Sequence, residues 1–190
     1  MPSHCEAWKT VFLESGKTQL SLQLYDTDLK FYAVVQSLGA LLMSNVINIE
    51  TPIGVLYAKG QEAITHLGWA KQVAASPNKL LREAQRQIQA FFLGELILFD
   101  LPLAPKGTPF QRRVWQHLGS IPYGNTISYG TVGATLCTSP RAVGGACGAN
   151  PIPLIIPCHR VVGQNGYLTG YSGGRGLTTK ACLLYTSDAA

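Results

Sequence analysis

Three prolines, Pro151, Pro153 and Pro157, punctuate an otherwise apolar run, PIPLIIPCHRVVG at 151–163. Proline removes a backbone donor and fixes φ, so the run reads as extended chain rather than as a helix interior. Its apolarity sends it into the interior, apart from Cys158, His159 and Arg160 near its end. A chain that buries such a segment must wrap it in elements drawn from elsewhere. With 190 residues, 46% of them hydrophobic and 13% charged, this one has the material for one ordinary domain or two small ones. The longest apolar stretch, Phe31 to Met43, is interrupted by Gln36 and Ser37 and is too short to span a bilayer. No charged-then-apolar leader opens the sequence. The five cysteines are odd in number and contain no C-x-x-C, which argues against a disulfide framework and a four-thiolate zinc site. The expected location is the cytoplasm, or the nucleus in a eukaryote.

Charge is divided unevenly. Residues 1–100 carry eight Lys/Arg and nine Asp/Glu, whereas 101–187 carry seven cations and no carboxylate. Such a stretch projects a positive field suited to a polyanion, although a merely basic enzyme would show the same count. It also rules out a carboxylate pair or the acid of a Ser-His-Asp triad within 101–187.

The chain divides into an unassigned segment (1–46), a small strand-and-helix domain (47–98), a proline-rich linker FDLPLAPKG (99–107) and a mainly helical domain (108–190), an α/β (α+β) arrangement. In 1–46, LSLQLYDTDLKFYAVV alternates weakly like a strand. INIETPIGVLYAKG gives two extended runs around a Thr-Pro-Ile-Gly turn, and AITHLGWA gives a third. NKLLREAQRQIQAFFLG predicts a helix within 77–94, with Leu80, Leu81, Ala84, Ile88, Phe91 and Phe92 on one face and Gly94 ending it. Thr108 and Pro109 open another helix. Ser128 is placed to cap a short helix from Tyr129 to Leu136, TSP (138–140) breaks it, and RAVGGACGA (141–149) resumes. The latter contains Gly144, Gly145 and Gly148, each costing about 1 kcal/mol against alanine in a helix interior. Such a helix gains from bareness, most simply by letting its backbone approach a partner closely. Two short helices across a tight break in a basic region form a helix-turn-helix pattern.

Cys158 is directly followed by His159 and Arg160. A thiol attacks only as thiolate, and neighbouring cations or a histidine lower its pKa. Most buried cysteines are small hydrophobes, and Cys137, Cys147 and Cys182 fit that description.

The wider string NPIPLIIPCHRVVGQNGYLTGYSGG (150–174) resembles the active-site region of the O6-alkylguanine-DNA alkyltransferases, the methylated-DNA–protein-cysteine methyltransferases. FFLGELILFDLPLAPKGTPFQRRVWQHLGSIPYGNTISYG (91–130) is similar to their linker, first helix and tyrosine-bearing helix. RAVGGACGANP (141–151) is similar to their recognition helix and asparagine hinge, and TPIGVLYAKG (51–60) to their opening hairpin. The resemblance covers roughly 47–184.

It implies direct, single-turnover transfer of an alkyl group from guanine O6, and from O4-alkylthymine, to Cys158, with no cofactor and no metal. The implied partner is double-stranded DNA, approached by a monomer through the minor groove, with no membrane. His159 would deprotonate the thiol through a bound water, a geometry that suits adjacent residues pointing opposite ways on an extended chain. Tyr129 would help rotate the nucleotide out and donate toward the ring. Arg141 would fill the gap left by the flipped base, with Ala142, Gly144, Gly145 and Gly148 against the groove. Asn150 matches the hinge, Tyr171 and Ser172 the loop that closes over the base, and the carbonyls of Cys158 and Val161 the acceptors for the exocyclic amine.

The chain departs from the family pattern twice. LCTSPRAVGG is shorter than the usual helix-turn-helix corner, and Ser187 stands where the family has a histidine-orienting glutamate, with Asp188 one residue beyond as a possible substitute. His4 and Cys5 make too weak a pair to predict metal. Two other readings stand beside transfer: a non-enzymatic binder of alkylated DNA that signals to other repair pathways, and a thiol hydrolase.

Overall fold

Thr51-Pro52-Ile53-Gly54 folds the expected hairpin. β1 (Val46–Thr51) and β2 (Gly54–Gly60) pair antiparallel from Thr51↔Gly54 to Val46↔Lys59. Gly54 turns the chain at φ +104°, a value closed to most side chains. β3 (Ile64–Trp69) pairs with the other edge of β2, giving the order β1-β2-β3. The computed structural model describes residues 45–73 and 77–188, Ser187 and Asp188 by backbone alone. The strand-like reading of 20–35 and the His4–Cys5 pair lie outside the described residues.

The helix expected within 77–94 is α1 (Lys79–Phe92). Asn78 caps it, its Oδ1 accepting from Leu81 N at 2.8 Å, and Gly94 follows its end at φ +75°. Leu81, Ala84, Ile88 and Phe91 are buried, while Leu80 and Phe92 sit only half-buried at the edge of that face. Gln87, a polar residue on the same face, is buried because it clips the linker: its amide donates to Asp100 O at 2.9 Å and accepts from Asp100 N at 2.8 Å. The linker is held again where Ile64 N donates to Pro102 O and Ala104 N to Ile64 O, both at 2.8 Å.

α2 (Pro109–Gly119) starts on a reciprocal capping box between Thr108 and Gln111. Val114, Trp115 and Leu118 are buried, and Trp115 Nε1 donates to Ala146 O at 2.8 Å. β4 (Ile127–Ser128) leads into α3 (Tyr129–Thr135), which Ser128 caps. The corner after α3 is a Schellman turn: Cys137 takes φ +52°, its N–H reaches Ala134 O, and Thr138 N donates to Gly133 O at 2.8 Å. α4 (Pro140–Gly148) begins one residue earlier than expected. Pro140, read as a breaker, occupies its first turn, and Ser139 is the cap.

The proline-punctuated run is buried as expected, but it is not extended to its end. Leu154 takes φ +76°, and Cys158–Arg160 form a 3-10 turn closed by Arg160 N donating to Pro157 O at 3.0 Å. Local turns of this kind supply the hydrogen bonds that the prolines deny to a ladder. β5 (Val161–Val162) then pairs parallel with β4, Ile127↔Val161 and Ser128↔Val162. The closing helix, α5 (Leu177–Asp188), was not foreseen. The residues it buries are Thr179, Lys180 and Leu183, so its inward face does not read as apolar. A single hydrophobic cluster runs from Ile47 and Leu56 through Phe91 and Trp115 to Cys158 and Leu183.

Candidate active site

A cavity of about 860 Å³ is lined by β3, α3, α4 and the loop 169–173, and Cys158 lies in its wall. The thiol is 4% exposed. Asn150 knits its surroundings: the side-chain amide donates to Ile156 O at 2.9 Å and to Cys158 Sγ at 3.3 Å, while its oxygen accepts from Ile152 N at 3.0 Å. Burial pushes the Cys158 thiol up, and the Asn150 donor and the Lys180 charge pull it only part of the way back.

The lowering cation is therefore not Arg160, as proximity in sequence suggested. Arg160 Nη1 donates to Ile121 O at 2.9 Å, and its guanidinium lies 5.7 Å from the Tyr123 ring centroid. Lys180, far along the chain, is fully buried and donates to Val161 O at 2.6 Å and Thr169 O at 2.8 Å. Its ammonium also lies 5.5 Å from the Tyr129 ring centroid. Burial lowers its pKa, offset by the Cys158 and Cys147 thiols.

His159 is fully buried, and neither ring nitrogen has a hydrogen-bond partner among the described residues. Burial first, then the Arg160 and Lys180 charges, hold its pKa down to about 3, so the imidazole is neutral near pH 7. In the 3-10 turn Cys158 and His159 still point apart, since successive residues are about 120° apart. The Asp188 side chain lies outside the described residues.

The Tyr129 hydroxyl donates to Gly170 O at 3.0 Å, tying α3 to the loop. Burial pushes its pKa up to about 12, aided by the two thiols, so the phenol keeps its proton. Tyr171 and Ser172 line the cavity, the first half-buried and the second exposed. The carbonyl of Val161 faces Lys180, and that of Cys158 accepts from Val161 N.

From α4, Arg141, Gly144 and Gly148 line the same cavity, whereas Ala142 and Gly145 do not. A Cβ at Gly145 or Gly148 would meet nothing within 4 Å, and one at Gly144 only the Tyr129 ring at 4.0 Å. The bareness of α4 therefore serves no packing among the described residues. Of the seven cations in 101–187, Arg160 and Lys180 are buried, leaving Lys106, Arg112, Arg113, Arg141 and Arg175 exposed.

Three expectations are corrected or extended. Cys137 is exposed, and Cys147 and Cys182 are half-buried, so none is the buried hydrophobe that its sequence suggested. Cys147 instead lines the cavity, its thiol pushed up to about 12 by burial and by Cys158. Leu67, Gly68 and Trp69 of β3 also line it, a contribution no motif announced.

Residues 109–187 match the family model of the 6-O-methylguanine DNA methyltransferase, DNA binding domain. The methylated-DNA–protein-cysteine methyltransferase of Methanosarcina acetivorans is 45% identical over 136 residues, covering 66% of this chain and 87% of the relative. This chain belongs to the methylated-DNA–protein-cysteine methyltransferase family. The constitutive methyltransferase of Bacillus subtilis is 41% identical over 75% of this chain and 94% of its own length. Among solved methyltransferase structures, the Mycobacterium tuberculosis OGT in complex with DNA has a TM-score of 0.68 and 42% identity, covering 76% of this chain and 92% of that one. The mixed α/β fold of the methyltransferases is thus present here. Among the described residues, no helix is long and apolar enough to cross a membrane.

Proposed function

We propose that this protein repairs O6-alkylguanine, and O4-alkylthymine, in double-stranded DNA by moving the alkyl group once onto Cys158, acting as a monomer. One observation carries the reading: the cavity that holds the thiol shares its lining with the bare, externally unpacked face of α4. DNA lying on that helix through its minor groove delivers a nucleotide into the cavity, at an unstacking cost of a few kcal/mol. Arg141, exposed in the first turn of α4, fills the gap left in the duplex. In this reading 108–190 carries both the DNA contacts and the nucleophile, and 47–98 supplies one wall.

The neutral His159 takes the thiol proton through a bound water. The Cys158 sulfur forms a bond to the alkyl carbon as the carbon–oxygen bond breaks, and the electron pair stays on guanine. Tyr129, held protonated, donates toward the leaving ring. The carbonyls of Cys158 and Val161, which already accept from Val161 N and Lys180 Nζ, would each offer a second lone pair to the exocyclic amine, while Asn150 holds the turn and Tyr171 and Ser172 close over the base. The product is a thioether, and nothing in the site reverses it.

A second reading, a binder that recognises the lesion without reacting, is favoured by one fact: burial raises the thiol while His159 is a weak base. Incubation with an O6-benzylguanine probe followed by intact-mass measurement separates the two. Transfer adds one benzyl group permanently to the wild type and none to Cys158→Ala, which keeps its affinity for alkylated DNA. A wild type that gains no mass is a binder, and one that turns over is a hydrolase.

A further inference from the structure

Trp69 closes β3 and lines the cavity together with α4. Its strand is fixed there by Leu67 N donating to Pro151 O at 2.8 Å, at the head of the run that carries Cys158. The indole meets the Tyr171 ring edge to face, with centroids 6.2 Å apart and planes at 84°. The loop backbone lies directly on the indole: a Cβ at Gly173 would fall 2.5 Å from its Cζ3, and one at Gly174 would fall 2.9 Å from its Nε1. Only glycine permits that approach, and Gly174 also takes φ +55°.

The loop has few other anchors. Gly170, Ser172 and Gly174 are exposed, and the ties besides the indole are Tyr129 to Gly170 O and Lys180 to Thr169 O at its start, and Gly176 N to Gly173 O and Arg175 N to Thr179 Oγ1 at its end. Tyr171, Gly173 and Gly174 thus rest on Trp69. Both Trp69 Nε1 and Tyr171 Oη are buried without a hydrogen-bond partner among the described residues. Such unmet polar groups are uncommon away from functional sites, and here both belong to side chains lining one cavity.

We propose that Trp69 is a positioning and specificity-determining residue for alkyl transfer, seating the Tyr171–Gly174 loop and closing the cavity around the O6 substituent. The inference rests on the transfer reading above. A seated loop holds a small alkyl carbon near the attacking sulfur. The same wall limits how bulky a substituent fits. Truncating the indole loosens the first effect and relieves the second, so the two classes of substrate respond differently. A misplacement of about 1 Å in a reacting group costs on the order of a hundredfold in rate, which sets the scale for the small substrate.

The test compares single-turnover transfer from duplex DNA carrying O6-methylguanine with that from duplex carrying O6-benzylguanine, in the full chain. Trp69→Ala is expected to slow methyl transfer by about tenfold or more, to slow benzyl transfer less, and so to raise the benzyl-to-methyl ratio, with duplex affinity unchanged. Trp69→Phe restores most of the methyl rate. Gly173→Ala, whose Cβ would fall 2.5 Å from the indole and displaces the loop from it, raises the ratio on its own. These two variants carry the test should Trp69→Ala not fold. A ratio that stays constant across the variants, with wild type transferring both groups, overturns the Trp69 proposal alone. A wild type that transfers neither group overturns the transfer reading and the proposal with it.

Discussion

Replacing Gly145 by alanine separates what α4 does for the fold from what it does for DNA. Gly145 is exposed within the helix, and an added Cβ would meet nothing within 4 Å. The substitution therefore brings the full helix-propensity gain of about 1 kcal/mol with no steric charge against it. For a chain of this size that corresponds to a melting temperature higher by about 3 °C. The methyl group then stands where the duplex backbone must come close. Overpacking of a fitted contact costs roughly 1–3 kcal/mol, so affinity for duplex DNA should fall by about tenfold. Gly119→Ala is the control: Gly119 also faces open space, but it is the last residue of α2. It should raise stability without touching DNA binding. Thermal melts and fluorescence-anisotropy titrations at fixed salt read both quantities. A Gly145→Ala protein that is more stable and binds DNA undiminished would refute the argument that α4 is bare for an external partner.

Three further outcomes follow from charge. With the thiol raised by burial and His159 held near 3, the proton that His159 takes passes on to solvent, so the transfer rate should rise about tenfold per pH unit through neutrality as thiolate forms; a plateau already below pH 7 would contradict that ordering. Stability carries the opposite end of the same histidine: its folded pKa lies below the unfolded value of 6.5, so the unfolded chain binds the extra proton between about pH 6.5 and 3. Stability is fully present above 6.5 and declines as pH falls through that window, and His159→Gln should flatten the decline in urea midpoints. If three or four of the five exposed cations in 101–187 meet phosphates, log affinity against log salt should have a slope on the order of −3. A slope near zero would remove the DNA backbone from the interface.

Local chemistry in the sequence was a sound guide where it acts locally. The Pro-Ile-Gly hairpin, the Gly94 stop, the Thr108 cap and the Ser128 start of α3 are each determined by a few adjacent residues, and each is present. The string around Cys158 pointed to the family, and the cavity gathers Cys158, Tyr129, Arg141, Asn150, Tyr171 and Ser172 from four separate segments. What sequence could not supply was whatever depends on distant contacts. Arg160 sits two residues from the thiol yet bonds to Ile121, while Lys180 reaches the site from α5. α5 itself hides because its buried face includes a lysine and a threonine, which no apolar periodicity reveals. Trp69 looked like the end of a strand and turned out to be a wall of the cavity.

The short parallel ladder of β4 and β5 has a consequence in time. It sits immediately before Tyr129 and immediately after the Cys158–Arg160 turn, so it fixes the phenol and the thiol relative to each other. Parallel strands cannot close through a tight turn; here α3, α4 and the proline run must all be in place before the ladder forms. Non-local pairings of that kind come late in folding. A chain still emerging from the ribosome, or one partly unfolded, therefore carries the cysteine without the neighbours that equip it. For a nucleophile proposed to act only once, that order of assembly works as a safety catch: the reagent is armed only when the protein that aims it is complete.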